Sequence, residues 1–339
     1  AMISSSWVDI SGVAIRGAFI VVVGWTPQVI AAAGTIDQPP AATSTTSEAN
    51  GHELGATAST ISEYAAAGVQ WGLSALGLAL LITVFVRRWY RLKPLKVPGS
   101  MQVALVGGFG FLVVYLTGAM AGPAAAWAFN LSLPGSENVE ELSMSTAATL
   151  TGATLAGQLI ALTLALPRFA RVQPEFGSRR SPGVAARLAV LALFVVWPIA
   201  ILFSQLATLL GSLLRGQAIS PIAHKTLQML LDSQGDGWFW LMIGLVVLVA
   251  PVVEELLYRG LLQRAAVAWL HARWPGILLA AVVFTGGHAM ATPPEALAPL
   301  FVLSLGFGWA YERTGRLIAP IVMHMLFNAG NVTVALLVM

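Results

Sequence analysis

Long apolar runs separated by short polar connections dominate this chain, and they lack the alternation of apolar and polar residues that marks barrel strands, so they predict helices. Nine of them approach or reach the roughly 20 residues that a helix needs to cross a bilayer. They run approximately Gly12 to Ala33, Ala65 to Val86, Gln102 to Phe129, Thr146 to Leu166, Ala186 to Leu214, Trp238 to Leu257, Trp274 to Met290, Leu297 to Tyr311 and Ile318 to Val338. The pattern predicts an all-α fold, a polytopic transmembrane helical bundle of about eight to nine membrane helices. Three regions follow from it. Residues 1–64 form an N-terminal transmembrane or signal-like segment plus a flexible external loop; residues 65–236 are accessory transmembrane helices; residues 237–339 hold the chemistry.

Composition agrees with this pattern. Of 339 residues, 57% are hydrophobic and only 10% charged, and the mean hydropathy is +0.78, whereas a soluble domain carries about 25% charged residues. Cysteine is absent, which excludes disulfides, thiolate metal sites and cysteine nucleophiles. Nothing suggests nucleic-acid binding; the formal net charge of +3 matters less than where the basic residues stand. Arg87, Arg88, Arg91, Lys93 and Lys96 follow the second segment, Arg168, Arg171, Arg179, Arg180 and Arg187 the fourth, Arg259, Arg264 and Arg273 the sixth, and Arg313 and Arg316 the eighth. By the positive-inside rule those connections are cytoplasmic. The alternate connections are poor in Lys and Arg, and one carries Glu137, Glu140 and Glu141. The first segment has two readings, a span or a signal peptide: Arg16 precedes an apolar run that ends in Ala31, Ala32, Ala33 and Gly34. Ala1 before Met2 reads as a cloning remnant. Gly118 and Gly122 form a GxxxG in the third segment, which predicts close helix packing.

Polar residues inside apolar segments need a reason, because a charge at mid-bilayer costs about 2.5 to 3.5 kcal/mol even on the mildest scale. They concentrate in three runs: Glu254, Glu255 and Arg259; Phe284 with His288; His324 with Asn328. Glu255 and Arg259 are four apart, so they share a helix face and neutralise each other. Glu254 points about 100° away and has no such partner. A carboxylate without a counter-ion in poorly hydrated surroundings suits a general base acting on water. His324 and Asn328, also four apart, face one side of the last helix, and His288 comes from a third. Each feature alone has a plain structural reading: Glu255 and Arg259 as a helix-end ion pair, Tyr258 as an interfacial anchor, a lone His as packing. The coincidence of all of them on three apolar helices favours a site.

The motifs EExxxR at Glu254, Glu255 and Arg259, FxxxH at Phe284 and His288, and HxxxN at His324 and Asn328, in that order, resemble the CAAX protease and bacteriocin-processing family. This group of intramembrane endopeptidases, also called Abi proteins, includes the type II CAAX prenyl endopeptidases. The resemblance covers roughly Gly237 to Thr333. It implies that residues 237–339 are the catalytic transmembrane region. Glu254 would hold and deprotonate a water, with His288 as companion, and His324 and Asn328 would stabilise the oxyanion, with Glu255, Arg259 and Phe284 supporting. The implied activity is peptide-bond hydrolysis on a peptide or membrane-protein substrate within the lipid bilayer, reached from the cytoplasmic side. Arg outnumbering Lys, with many Ala, points to a prokaryotic cytoplasmic membrane. Glu254, His288 and His324 could also form a three-ligand zinc site, but they lack local ligand spacing, and the resemblance implies metal-independent water activation, hence no cofactor. HExxH, a GxSG serine motif and a membrane aspartate pair are all missing. The alternative is a non-catalytic scaffold or bacteriocin-immunity-type protein of the same fold. A proton-coupled transporter fits less well, since paired broken-helix signals are missing.

One expectation conflicts with the rest. If the sixth helix ends near Leu257, Glu254 sits at the cytoplasmic surface, while His288 lies about 21 Å along the seventh. For the motifs to meet, either the sixth helix continues past Arg259 or residues 261–273 form a partly embedded hairpin.

Overall fold

The computed structural model describes residues 49–93, 100–131, 143–172, 180–216, 235–289 and 292–337, with side chains from residue 68 onward except at 170, 172, 334, 335 and 337. The first apolar segment, Gly12 to Ala33, and most of the external loop lie outside the described residues. What is described is helical throughout: α1 Ala49–Val86, α2 Met101–Ala128, α3 Met144–Val172, α4 Pro182–Arg215, α5 Gly237–Leu270, α6 Arg273–His288, α7 Pro294–Thr314 and α8 Ile318–Leu337. Among the described residues, five helices, α1 to α5, are long and apolar enough to cross a membrane. They account for part of the expected eight to nine. α6 has 16 residues, about 24 Å, less than the ~30 Å of a hydrocarbon core.

Local chemistry sets several boundaries. α4 starts where Ser181 accepts a hydrogen bond from Val184 N at 3.4 Å, with Pro182 in the first turn, and stops at Gly216 in the left-handed region (φ 64°). Gly315 (φ 66°) ends α7 in the same way. The expected packing role of Gly118 and Gly122 is seen directly. A methyl group on Gly122 would lie 3.0 Å from Thr154 Oγ1 of α3, and one on Gly118 would lie 2.8 Å from Gln158 Nε2.

The sixth predicted segment needs correcting, because α5 does not stop near Leu257 but continues to Leu270. Hydropathy ends it early at Arg259, Gln263 and Arg264; in the bundle Arg259 and Gln263 are fully buried and hydrogen-bonded to α7. His271 (φ 54°) then turns the chain sharply into α6. Gly276 lets α6 pack directly against the end of α5, since a Cβ there would stand 2.8 Å from Val267 N. This removes the depth conflict without a hairpin. At roughly 1.5 Å per residue, Glu254 lies about 24 Å from the end of α5 and His288 about 22 Å from the start of α6, so they reach the same level.

The Arg-rich connections meet at one end of the bundle, as their alternation predicts. Arg313 donates to Arg91 O at 3.1 Å, Arg180 N to Thr314 O at 3.2 Å, and Arg273 pairs with Glu312 at 2.6 Å. Among the described residues, the interior includes two apolar clusters. One joins α2, α3, α5 and α6 through residues such as Leu162, Leu257, Tyr258 and Phe284; the other joins α4, α7 and α8 through Phe307, Met323 and Phe327. Outside them α1 to α4 carry exposed apolar side chains, among them Trp127, Phe109 and Ile160, as expected for surfaces that face lipid. These are the features of an integral membrane protein.

Candidate active site

The site lies where the two apolar clusters meet, and its organiser is Arg259. This guanidinium is 1% exposed and stands between two aromatic faces, 4.8 Å from the centre of Phe284 and 5.3 Å from that of Phe307. Such a charge is tolerable only if it is paired and its donors are largely engaged; of its nitrogens, Nε has no hydrogen-bond partner among the described residues. Nη1 donates to Glu255 Oε1 at 3.0 Å; Nη2 donates to Ser304 Oγ at 2.7 Å and Ser304 O at 3.1 Å. One turn on, Gln263 Nε2 donates to Gly308 O at 3.2 Å and Glu312 Oε1 at 3.1 Å. Glu255, Arg259 and Gln263 therefore form a polar stripe at spacing four along α5, and it meets Ser304, Gly308 and Glu312 at the same spacing along α7.

The two carboxylates differ as the spacing predicts. Glu255, with no exposed surface, is bound on Oε1 by Arg259 and also by the Nδ1–H of His324 at 2.9 Å. Glu254, 5% exposed, leaves Oε2 without a hydrogen-bond partner among the described residues. The other nitrogen of His324, Nε2, stands 4.0 Å from that oxygen, too far for a hydrogen bond and within the span of one bridging water. The ring of His324 is stacked on Phe307, with centroids 4.9 Å apart.

Phe284 links the third motif to the others. Its ring centroid lies 4.5 Å from His288, 4.9 Å from Tyr258 and 6.2 Å from His324. His288, 2% exposed, donates Nδ1–H to Phe284 O at 2.7 Å, which fixes the ring and its tautomer. The structure thus gathers Glu254, Glu255, Arg259, Phe284, His288 and His324.

Asn328 is 2% exposed and faces α5 like His324, but its Nδ2 donates to Val246 O at 2.9 Å. The reason lies in the α5 backbone. The helix widens into π-helical turns at Leu245–Val249 and Leu256–Gln263, on either side of Ala250–Glu255. In the first of these Ala250 N–H reaches back to Leu245 O. The carbonyl of Val246 then faces position 251, where proline has no N–H to offer. Asn328 supplies the missing donor across the helix interface.

Two structural readings fail here. Tyr258 is not an interfacial anchor: it is 4% exposed, one turn beyond Glu254, and its hydroxyl approaches Gly287, where a Cβ would lie 3.0 Å away. Nor is the Glu255–Arg259 pair at a helix end, because α5 carries it inside the bundle. Sequence reasoning missed Ser304, Phe307, Gln263 and Pro251. The spacing-four polar stripe on two neighbouring apolar helices was a usable signal for the first and third; nothing local marked Phe307. Among the described residues, no group of three His, Cys, Asp or Glu side chains is placed to hold a metal ion.

Residues 236–330, which contain α5, α6, α7 and the first part of α8, match the family described as Rce1-like, type II CAAX prenyl endopeptidase Rce1-like. A protein of Escherichia coli described as an uncharacterized 24.3 kDa protein is 25% identical over 170 residues, 49% of this chain and 71% of that one. No solved structure gives a significant match. The match falls where the three motifs stand, and at family level this similarity supports a membrane peptidase.

Proposed function

We propose that this chain is an intramembrane endopeptidase in which Glu254 activates a water for attack on a peptide bond. The observation that carries this reading is the division of labour between adjacent carboxylates. Glu255 is held through Oε1 by Arg259 and His324 Nδ1, its Oε2 making no hydrogen bond, whereas Glu254 shares neither of those bonds and its Oε2, likewise without a hydrogen-bond partner among the described residues, lies 4.0 Å from His324 Nε2. A water bound between those two atoms would give its proton to Glu254 as its oxygen attacks the scissile carbonyl carbon. This reading moves His324 from the oxyanion, where the resemblance puts it, to the water, so the oxyanion needs other donors, and the same carboxyl would return the proton to the leaving amine as the carbon–nitrogen bond breaks. His288, fixed by its bond to Phe284 O, flanks the same phenyl ring and is the second histidine for that water. Asn328 acts on the oxyanion only through the N–H that Val246 does not engage. In this reading Glu254 activates the water without a metal ion. The substrate class is a peptide or membrane-protein tail in a prokaryotic cytoplasmic membrane, entering from the end of the bundle that carries the Arg-rich connections.

The test is cleavage of peptides by the purified chain in lipid nanodiscs, followed by mass spectrometry. Glu254→Ala and His288→Ala should abolish cleavage while the chain remains folded, and full activity in either variant would overturn the mechanism. The close burial of Glu254, His288 and His324 favours a second reading, a non-catalytic scaffold or immunity-type protein with the same fold. Complementation of a deletion phenotype by Glu254→Gln separates the two: a scaffold keeps working and a hydrolase does not.

A further inference from the structure

A groove of about 510 Å³ opens between α1, α4, the start of α6 and α7, away from the site described above. Its depth is lined by aliphatic and aromatic side chains, including Leu81, Ile199 and Phe203, with Leu191 at its open side, and one end is ringed by Trp89, Tyr90, Trp274 and Trp309. That end is built by an unusual turn. α1 closes with Arg88 in the left-handed region (φ 54°), its N–H on Phe85 O at 3.1 Å and that of Trp89 on Val84 O at 3.0 Å, a helix-capping geometry that normally uses glycine. The turn folds residues 88–91 back over the bundle. There Tyr90 O accepts from Trp274 Nε1 and Arg91 O from Arg313, both at 3.1 Å.

The same turn gathers positive charge at the aromatic end. Arg87, Arg88 and Arg91 are exposed there, with Arg187 one residue before the groove-lining Leu188 and Arg313 stacked 6.0 Å from the ring centre of Trp309. None of residues 68–93 or 180–216 is acidic. The nearby acid, Glu312, is bound by Arg273 and Gln263. The cavity is therefore deep and apolar at one end, aromatic at its rim and cationic beyond the rim. Its volume is in the range of roughly 300 to 1,000 Å³ that holds a single ligand molecule, and Trp and Tyr gather at headgroup level in membrane proteins. Basic pockets between membrane helices recognise anionic headgroups.

We infer that this groove seats one anionic phospholipid, with an acyl chain among the side chains of α1, α4 and α7 and its phosphate on the arginines around the Arg88 turn. The inference stands apart from the proposed hydrolysis and does not depend on it.

The chain has no cysteine, so Leu191→Cys places a single thiol in the groove, and Leu164→Cys, exposed on α3, serves as the control outside it. Each variant, labelled with benzophenone maleimide, is irradiated in nanodiscs of equal phosphatidylglycerol and phosphatidylcholine, and the adduct is weighed as intact protein. Leu191→Cys should favour phosphatidylglycerol adducts at least tenfold over the control. Combining it with Arg88→Gln, Arg91→Gln and Arg313→Gln, or with Arg91→Gln alone where the triple change does not fold, should reduce that preference. Equal ratios at the two positions, or a preference that survives loss of the arginines, would overturn the proposal. So would crosslinking to a peptide from residues 1–48 or to a second copy of the chain, because the groove would then be covered by protein.

Discussion

Replacing each glutamate of the pair by glutamine should produce opposite phenotypes, although the residues are adjacent and both buried. Glu255→Gln removes the negative charge opposite a guanidinium that is 1% exposed, and breaking one partner of a buried ion pair costs about 3 to 5 kcal/mol. It also weakens the bond that orients His324. In a protein of this size such a loss lowers the unfolding midpoint by roughly 4 to 7 °C. Glu254→Gln keeps the shape of a side chain whose Oε2 has no partner among the described residues, so its cost should stay below about 1 kcal/mol. Its effect falls on proton transfer, with a loss of about 10² to 10⁴ in the cleavage rate. Thermal unfolding in detergent, read by tryptophan fluorescence beside the peptide assay, separates the two quantities. If Glu254→Gln lowers the midpoint as far as Glu255→Gln, the division of roles between the carboxylates is wrong.

Backbone approach gives a test that needs no substrate. Gly276→Ala puts a Cβ 2.8 Å from Val267 N and should cost about 1 to 3 kcal/mol, whereas Gly286→Ala, with nothing within 4 Å, should be neutral or stabilise α6 by up to about 1 kcal/mol; similar melting points for the two would refute the α5–α6 packing. Asn328→Ala leaves the Val246 carbonyl unbonded at about 1 to 3 kcal/mol, and Pro251→Ala restores an N–H beneath it. A double-mutant cycle should therefore show coupling of about 1 kcal/mol, and strict additivity would mean that Asn328 does not serve the backbone. On the proposed mechanism cleavage persists after dialysis against a chelator, and loss of activity restored by added zinc would replace water activation by a metal-assisted route.

The all-helical membrane fold was readable because each apolar run is long and the basic connections alternate. The site was readable in part, since spacing four pairs Glu255 with Arg259 and isolates Glu254. The true length of α5 was not readable. Hydropathy treats Arg259, Gln263 and Arg264 as the exit from the membrane, but whether such residues are exposed depends on partners some 45 positions away in sequence, Ser304 and Gly308. The pairing of Asn328 with Val246 was hidden for a related reason. A proline inside a helix can be read from sequence, but which carbonyl it strands depends on the π-helical widening, and that follows from packing rather than from local preference.

Arg259 explains why so polar a group of residues can sit inside an apolar bundle. A guanidinium at this depth would be costly alone, and its presence requires the Glu255 carboxylate, the Ser304 hydroxyl and carbonyl, and the faces of Phe284 and Phe307. Once those are in place, Glu255 has one fixed oxygen, and that oxygen fixes Nδ1 of His324 from α8. With Nδ1 held and the ring stacked on Phe307, Nε2 has one direction in which to point, towards Glu254. The geometry that matters for water is thus imposed from the far side of the pair: the ion pair holds the histidine, and the unpaired carboxylate is left beside it.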